Sequence, residues 1–229
     1  MRDPRSRFIS FLLFLFSVLS LIGGDMAWGD PVGVAEKEEG RQFAFDQKGS
    51  SISFSVSSTL HPVRGEAKKF GGKIVLSSLK DPSTGRLTLD IEASSLDTNH
   101  GARNKKMWDS CLEVGRFPMI RFQSLELLNG PKSYSPGQTG RGEVLGLLEL
   151  HGVQKKIVVP VDYKYTEEGV HGQGKVIIKR SDFKIPEPKL LFLGVGDEIE
   201  IVFNIQAIAV APLSHSGIPS QDLLSVSRR

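Results

Sequence analysis

Apolar and polar residues alternate with a period of two along most of the chain. From Gly142 to Tyr165, two apolar-rich runs flank a short turn at His151-Gly152. On the first run Val144, Gly146, Leu148 and Leu150 share one side. On the second, Ile157, Val159, Val161, Tyr163 and Tyr165 share a side, opposite Asp162 and Lys164. Such alternation marks half-buried strands, and a joint this tight predicts a β-hairpin. Phe43 and Phe45 alternate with Gln42 and Ala44, and Ile52, Phe54 and Val56 alternate with serines. A turn at 47–49 would join these two strands as another hairpin. Further strands follow from Ile74 and Leu76, from Leu87, Leu89 and Ile91, and from Ile199, Ile201, Phe203 and Ile205. Val170, Gly172, Gly174, Val176 and Ile178 share a face, and glycines on an inward face leave room inside. In MIRFQSLELL, Ile120 and Phe122 lie on one side, Leu125 and Leu127 on the other. That change of parity predicts a bulge near Ser124.

The rhythm breaks at 97–114, where Met107, Cys111 and Val114 fall at helical spacing beside Trp108 and Leu112. A short helix is expected there, ended by Gly115 and Pro118. Residues 129–140, rich in Gly, Pro and Ser, read as a mobile loop. Arg180 to Gly196 reads as a long connection that packs on the domain through Phe183, Ile185, Leu190, Leu191, Phe192 and Leu193. The sum is an all-β, antiparallel fold of about eight or nine strands, each with one face toward water. A single open sheet of that size exposes its edges, so closure into a barrel or a two-layer sandwich is expected.

Composition adds the compartment. Arg2, Arg5 and Arg7 precede an apolar run from Phe8 to Ile22, followed by Gly23-Gly24 and Ala27-Trp28-Gly29. This is the order of a signal peptide, cleaved after Gly29, with an uncleaved membrane anchor as the alternative; the run of about 15 residues falls short of the ~20 that span a bilayer. The resulting organisation is a signal peptide at 1–29, a flexible leader at 30–40, a domain at 41–211 and a disordered polar tail at 212–229. Localisation is then periplasmic or secreted. The net charge of +3, from 29 basic and 26 acidic residues, gives no electrostatic footprint for nucleic acid.

Candidate chemistry is sparse. Cys111 is the single cysteine, so it forms no intrachain disulfide, and no Cys-His signature surrounds it. His61, His100, His151, His171 and His215 make no metal-ligand spacing, and His151, in its turn, is expected to face solvent. Asp97, Asp109 and Glu113 could form an acid/base pair or simply a solvated helix face.

Four segments in order carry a resemblance: FSVSSTLHPVRGEAKKFGGKIVL from Phe54, RNKKMWDSCLEVGRFPMIRFQS from Arg103, GLLELHGVQKKIVVPV from Gly146, and KRSDFKI with GVGDEIEIVFNIQA from Lys179 to Ala207. The chain resembles the YceI-like family of lipocalin-like, polyisoprenoid-binding periplasmic proteins. The resemblance implies a lipocalin-like antiparallel β-barrel of about eight strands with one short helix. It also implies that the barrel binds, stores or transports an amphiphilic isoprenoid-type lipid, a quinone or polyprenyl chain, without catalysis. No other cofactor is implied. The candidate ligand-binding residues are Ile52, Phe54, Val56, Ile74, Leu89, Ile91, Phe122, Gly146, Val161, Gly172 and Phe203, with Met107 and Trp108 near the mouth. The same residues would also suit a filled core. Competing readings are a hydrolase or isomerase working in the same cavity, and a periplasmic stress or partner-binding protein using the 129–140 loop. A tunnel mouth or exposed edge admits a homodimer, and a lipid ligand admits transient membrane association.

Overall fold

The computed structural model describes residues 40–188 and 194–210. The expected signal peptide, the leader apart from Gly40, the tail at 212–229, and Leu190, Leu191, Phe192 and Leu193 lie outside the described residues. The strands are β1 (Arg41–Phe45), β2 (Ser51–Ser58), β3 (Val63–Ala67), β4 (Phe70–Leu76), β5 (Arg86–Glu92), β6 (Leu96–Asp97), β7 (Met119–Leu128), β8 (Thr139–Leu150), β9 (Val153–Tyr165), β10 (Gly169–Lys179) and β11 (Val195–Ala209). One helix, α1 (Gly101–Lys106), precedes β7. The strands β1, β4, β5, β7, β8, β9, β10 and β11 follow one another round a ring, which closes where β1 pairs back onto β11. All of its pairings are antiparallel. This closed barrel settles the choice between barrel and sandwich, and closure removes the edges that an open sheet would expose.

One edge of β11 serves two partners. Near its C-terminus Ala209 faces Phe43 and Ala207 faces Phe45 of β1. Further back, Phe203 faces Ile52 and Ile199 faces Val56 of β2. So β1 and β2 lie end to end, and the hairpin expected between them does not form. The chain at 46–50 steps out of the sheet without reversing. The Asp46 carboxylate accepts from the backbone N–H groups of Lys48 and Gly49, each at 3.1 Å. On either side of this step, Asp46 N–H donates to the Gln206 carbonyl at 2.8 Å and Gln206 N–H donates to Ser50 Oγ at 2.9 Å.

The two poles of the barrel therefore differ. At the β1 pole, Phe43, Tyr165 and Ala207 are 0% exposed, and Leu76 packs with them. The Phe43 ring meets Tyr165 edge-on, with centroids 6.1 Å apart. The 129–140 loop is tied across this pole. Tyr134 N–H donates to the Leu79 carbonyl, Gly137 N–H to the Tyr165 carbonyl and Tyr165 N–H to the Gln138 carbonyl, at 2.8 to 2.9 Å.

At the other pole β2 continues to β3 and β3 to β6, and the helical segment stands beyond β6. The helix begins later than the sequence pattern suggests, because Leu96–Asp97 extend the sheet and His100 caps α1 by accepting from Arg103 N–H at 3.3 Å. After α1, residues Met107–Cys111 form a widened turn in which Leu112 N–H reaches the Met107 carbonyl at 2.8 Å, the i→i+5 spacing of a π-bulge. Trp108 Nε1 donates to the Leu96 carbonyl at 2.9 Å, fastening the segment to the end of the sheet. Leu150, Ile178, Phe183 and Ile185 pack beneath it against Cys111 and Leu112. The expected bulge appears as a register shift between Ser124 and Glu126. It pushes Leu125 out to 37% exposure and returns Leu127 to the barrel interior.

If closure at the β1 pole rests on the Phe43 ring, Phe43→Ala lowers the unfolding free energy by about 3–5 kcal/mol, read by urea denaturation. A loss below about 1 kcal/mol, the size of an ordinary surface substitution, would show that the ring does not hold the pole shut.

Candidate ligand-binding lumen

The inward residues of β9 report on what fills the barrel. Ile157, Val159 and Val161 point inward yet stay only half-buried, while Lys156, Val158 and Pro160 on the outer face are exposed. Tyr165, at the end of the same strand, is fully buried. A packed interior would bury all four alike. Instead the barrel encloses a cavity of about 670 Å³. Its lining runs from Tyr165 and Val170 at the β1 pole to Arg180, Ile185 and Pro188 at the helical pole. Val170 and Arg180 are ten residues apart, ~33 Å of strand at 3.3 Å each and ~25 Å along the axis of a barrel tilted by about 40°. Spread over that length, the cavity leaves ~6 Å of width for the centres of the atoms that fill it. An extended hydrocarbon chain fits along it.

Polar lining groups gather toward the ends. Thr98, His100, Arg103 and Lys106 line the helical pole, with Arg180 near them; Arg86, Glu126, Tyr134, Tyr163 and Tyr165 line the other. A buried network sets the helical pole. The Asn104 Oδ1 accepts from Thr98 N–H at 2.9 Å and from Thr98 Oγ1 at 2.6 Å, and Asn104 Nδ2 donates to Asp97 at 2.7 Å. Arg103 Nε donates to Thr98 Oγ1 at 2.8 Å. The Asn104 amide, helped by Asn99 N–H, holds the Asp97 carboxyl below the usual carboxylate range. At the opposite pole, burial pushes the Tyr134 phenol up to about 12 and raises Tyr163 as well.

The carboxylates considered for acid/base work are each engaged elsewhere. Asp109 pairs with Lys105 at 2.6 Å, and Glu113 with Arg116 at 3.1 Å. Glu113 also meets His151 Nε2 at 2.8 Å, and this hydrogen bond is the main cause holding its carboxyl below the ordinary range. His151 does not face solvent as expected. Its side chain is 8% exposed, lies against the Phe117 ring at 4.8 Å, and has Nδ1 3.1 Å from the Phe183 carbonyl. It ties three loops together outside the lumen. Among the described residues, no three His, Cys, Asp or Glu side chains converge as a metal site.

The YceI-like domain matches residues 43–207, nearly the whole barrel. The chain belongs to this family. A UPF0312 protein of Yersinia pestis is 28% identical over 156 residues, covering 64% of this chain and 73% of that protein. One from Shewanella denitrificans is 30% identical over 146 residues, covering 61% and 68%. The solved structure of Burkholderia cenocepacia BcnA superposes with a TM-score of 0.59 at 23% identity, over 71% of this chain and 98% of that one. A polyisoprenoid binding domain from Saccharophagus degradans, implicated in plant cell wall breakdown, gives a TM-score of 0.62 at 20% identity, over 73% and 98%. At these identities the two structures share the fold.

In this YceI-like barrel, Ile52, Phe54, Val56, Ile74, Leu89, Ile91, Met107, Phe122, Val161, Gly172 and Phe203 all line the lumen. Trp108 and Gly146 do not. Trp108 is turned to the Leu96 carbonyl. At Gly146 an added Cβ would sit 2.3 Å from Phe122 Cζ, so this glycine makes room for a side chain of the wall. At Gly174 an added Cβ would meet the Pro160 carbonyl first and then the Phe203 ring. Only Gly172 of the three leaves space, with Val161 Cγ2 its one near neighbour at 3.4 Å. Sequence reasoning passed over Arg103, Lys106, Arg180 and Tyr134 as lining residues. Tyr163 and Tyr165 carried a signal, since they continue the inward side of Val161. Tyr134 lies in a loop without periodicity and carried none.

Cys111 offers a probe of the lumen wall. It is 8% exposed, it lines the cavity, and burial pushes its thiol up. The folded protein therefore reacts with a disulfide reagent at neutral pH at least about tenfold more slowly than the unfolded chain. Equal rates in stopped-flow absorbance would contradict a closed wall at this point.

Proposed function

We propose that this protein binds one isoprenoid-type lipid chain in its lumen, as carrier or store, and leaves it chemically unchanged. The observation that carries the reading is the continuous apolar bore of about 670 Å³ between the two poles. An isoprene unit advances by four backbone bonds, about 4.6 Å at the rise per bond of extended peptide, so ~25 Å takes about five units. Each CH₂ taken from water contributes about 0.8 kcal/mol, which offsets the freedom lost on association. The polyisoprenoid-binding description of the Saccharophagus degradans relative supports the same class of ligand. A quinone or polyprenyl lipid fits this description. So does a periplasmic or secreted location, which the charged and apolar pattern from Arg2 to Gly29 supports. A carrier of this kind also meets membranes transiently when it loads or unloads.

The test is a melting-temperature series with prenyl alcohols of increasing length. Bound ligand raises the melting temperature, and affinity grows by at least about tenfold per isoprene unit until the bore is full. Gly172→Leu places a side chain in the bore. It should abolish the shift while the empty variant still melts within about 5 °C of wild type. No shift with any chain length would sink the proposal.

A further inference from the structure

The Tyr165 hydroxyl is buried and has no hydrogen-bond partner among the described residues. The residue is 0% exposed and lines the floor of the lumen. Buried hydroxyls are almost always hydrogen-bonded, because leaving one unmatched is costly. The surrounding wall supplies no partner. Its cluster is Phe43, Leu76 and Ala207, with Phe45, Ile74, Leu79, Tyr134 and Val170 packed against it. The lumen is the space that this residue lines, so an oxygen function brought to the floor would supply the partner that the hydroxyl lacks. Tyr134, brought in by the loop, lies across Tyr165 with ring centroids 5.6 Å apart.

We propose that the β1 pole is the seat of the ligand's polar end, with the Tyr165 hydroxyl hydrogen-bonding an uncharged oxygen function such as a carbonyl, ether or hydroxyl. This rests on the lipid-binding reading above and adds a direction to it: the polar end sits deepest and the chain runs back toward α1. The group is uncharged because the cluster around Tyr165 is neutral and apolar, and an unpaired ion would be costly there. The neighbouring phenols of Tyr134 and Tyr163 are held in their neutral form by burial. The cationic side chains of Arg103, Lys106 and Arg180 line the far pole; at this pole the charged lining groups, Arg86 and Glu126, are exposed and outside the Tyr165 cluster, and Arg86 donates to the Ser83 and Gly85 carbonyls.

Tyr165→Phe removes the hydroxyl and keeps the ring. Binding of geranylgeraniol and of the hydrocarbon of the same chain is measured on wild type and variant. Wild type is expected to hold the alcohol about five- to tenfold more tightly than the hydrocarbon, the worth of one net hydrogen bond. The variant is expected to hold both alike, with hydrocarbon affinity unchanged. If both ligands bind and the variant keeps the preference for alcohol, the anchor is overturned and the lipid reading stands. If wild type binds neither, the lipid reading itself has failed. The melting temperature of the empty variant gives a second check. It should equal or exceed that of wild type, since no bond is lost; a clear fall would mean that the hydroxyl already has a partner, such as a trapped water, and would also overturn the anchor.

Discussion

The structure depends on one shared edge. The fifteen residues of β11 offer a single line of backbone groups, and β1 takes one part of it while β2 takes the rest. Where β1 docks, the ring closes and Phe43 seals it. Where β2 docks, the sheet continues into β3 and β6 and stops, and a helical segment covers the end. A single strand that exchanges partners midway thus gives the barrel one sealed pole and one covered pole. The lumen lies between two different ends.

That arrangement explains how an apolar interior stays open. Protein interiors ordinarily close to crystal-like density, and an unfilled apolar space forfeits dispersion contacts along its lining. Here closure is set by backbone pairing around the ring, so the wall cannot collapse to meet itself. Phe122 and Phe203 fill the space above Gly146 and Gly174, and Phe43 with Tyr165 plugs the floor. What is left is a channel wide enough for a hydrocarbon chain. The His151 hub serves the covered pole. It joins the exit of the helical segment to the β10–β11 connection through Glu113 and the Phe183 carbonyl, and so holds the cover in place without entering the lumen.

Much of this was legible in the residues. Alternation on β9, β10 and β11 identified the inward side at Val161, Gly172 and Phe203, because the period of two is imposed by strand geometry alone. The parity change in β7 located the bulge. Alternation does not say which strands pair, so β1 and β2 were read as a hairpin when they lie end to end on β11. Nor does it say what occupies the space above a glycine, so Gly146 was read as lumen when it belongs to Phe122. His151 looked solvent-facing because its turn is exposed locally, whereas Glu113 and Phe183, distant in sequence, cover it. Tyr134 and the helical-pole cations reach the lumen from loops, where no periodic signal exists.

A lumen that serves as proposed is filled, in the protein's own compartment, by an isoprenoid chain. Native mass spectrometry of protein purified from its producing organism, followed by extraction and identification of the released lipid, tests it most directly. The expected result is one prenyl-chain lipid per barrel, released intact. An empty barrel, or a lipid with two acyl chains at the same occupancy, would contradict it.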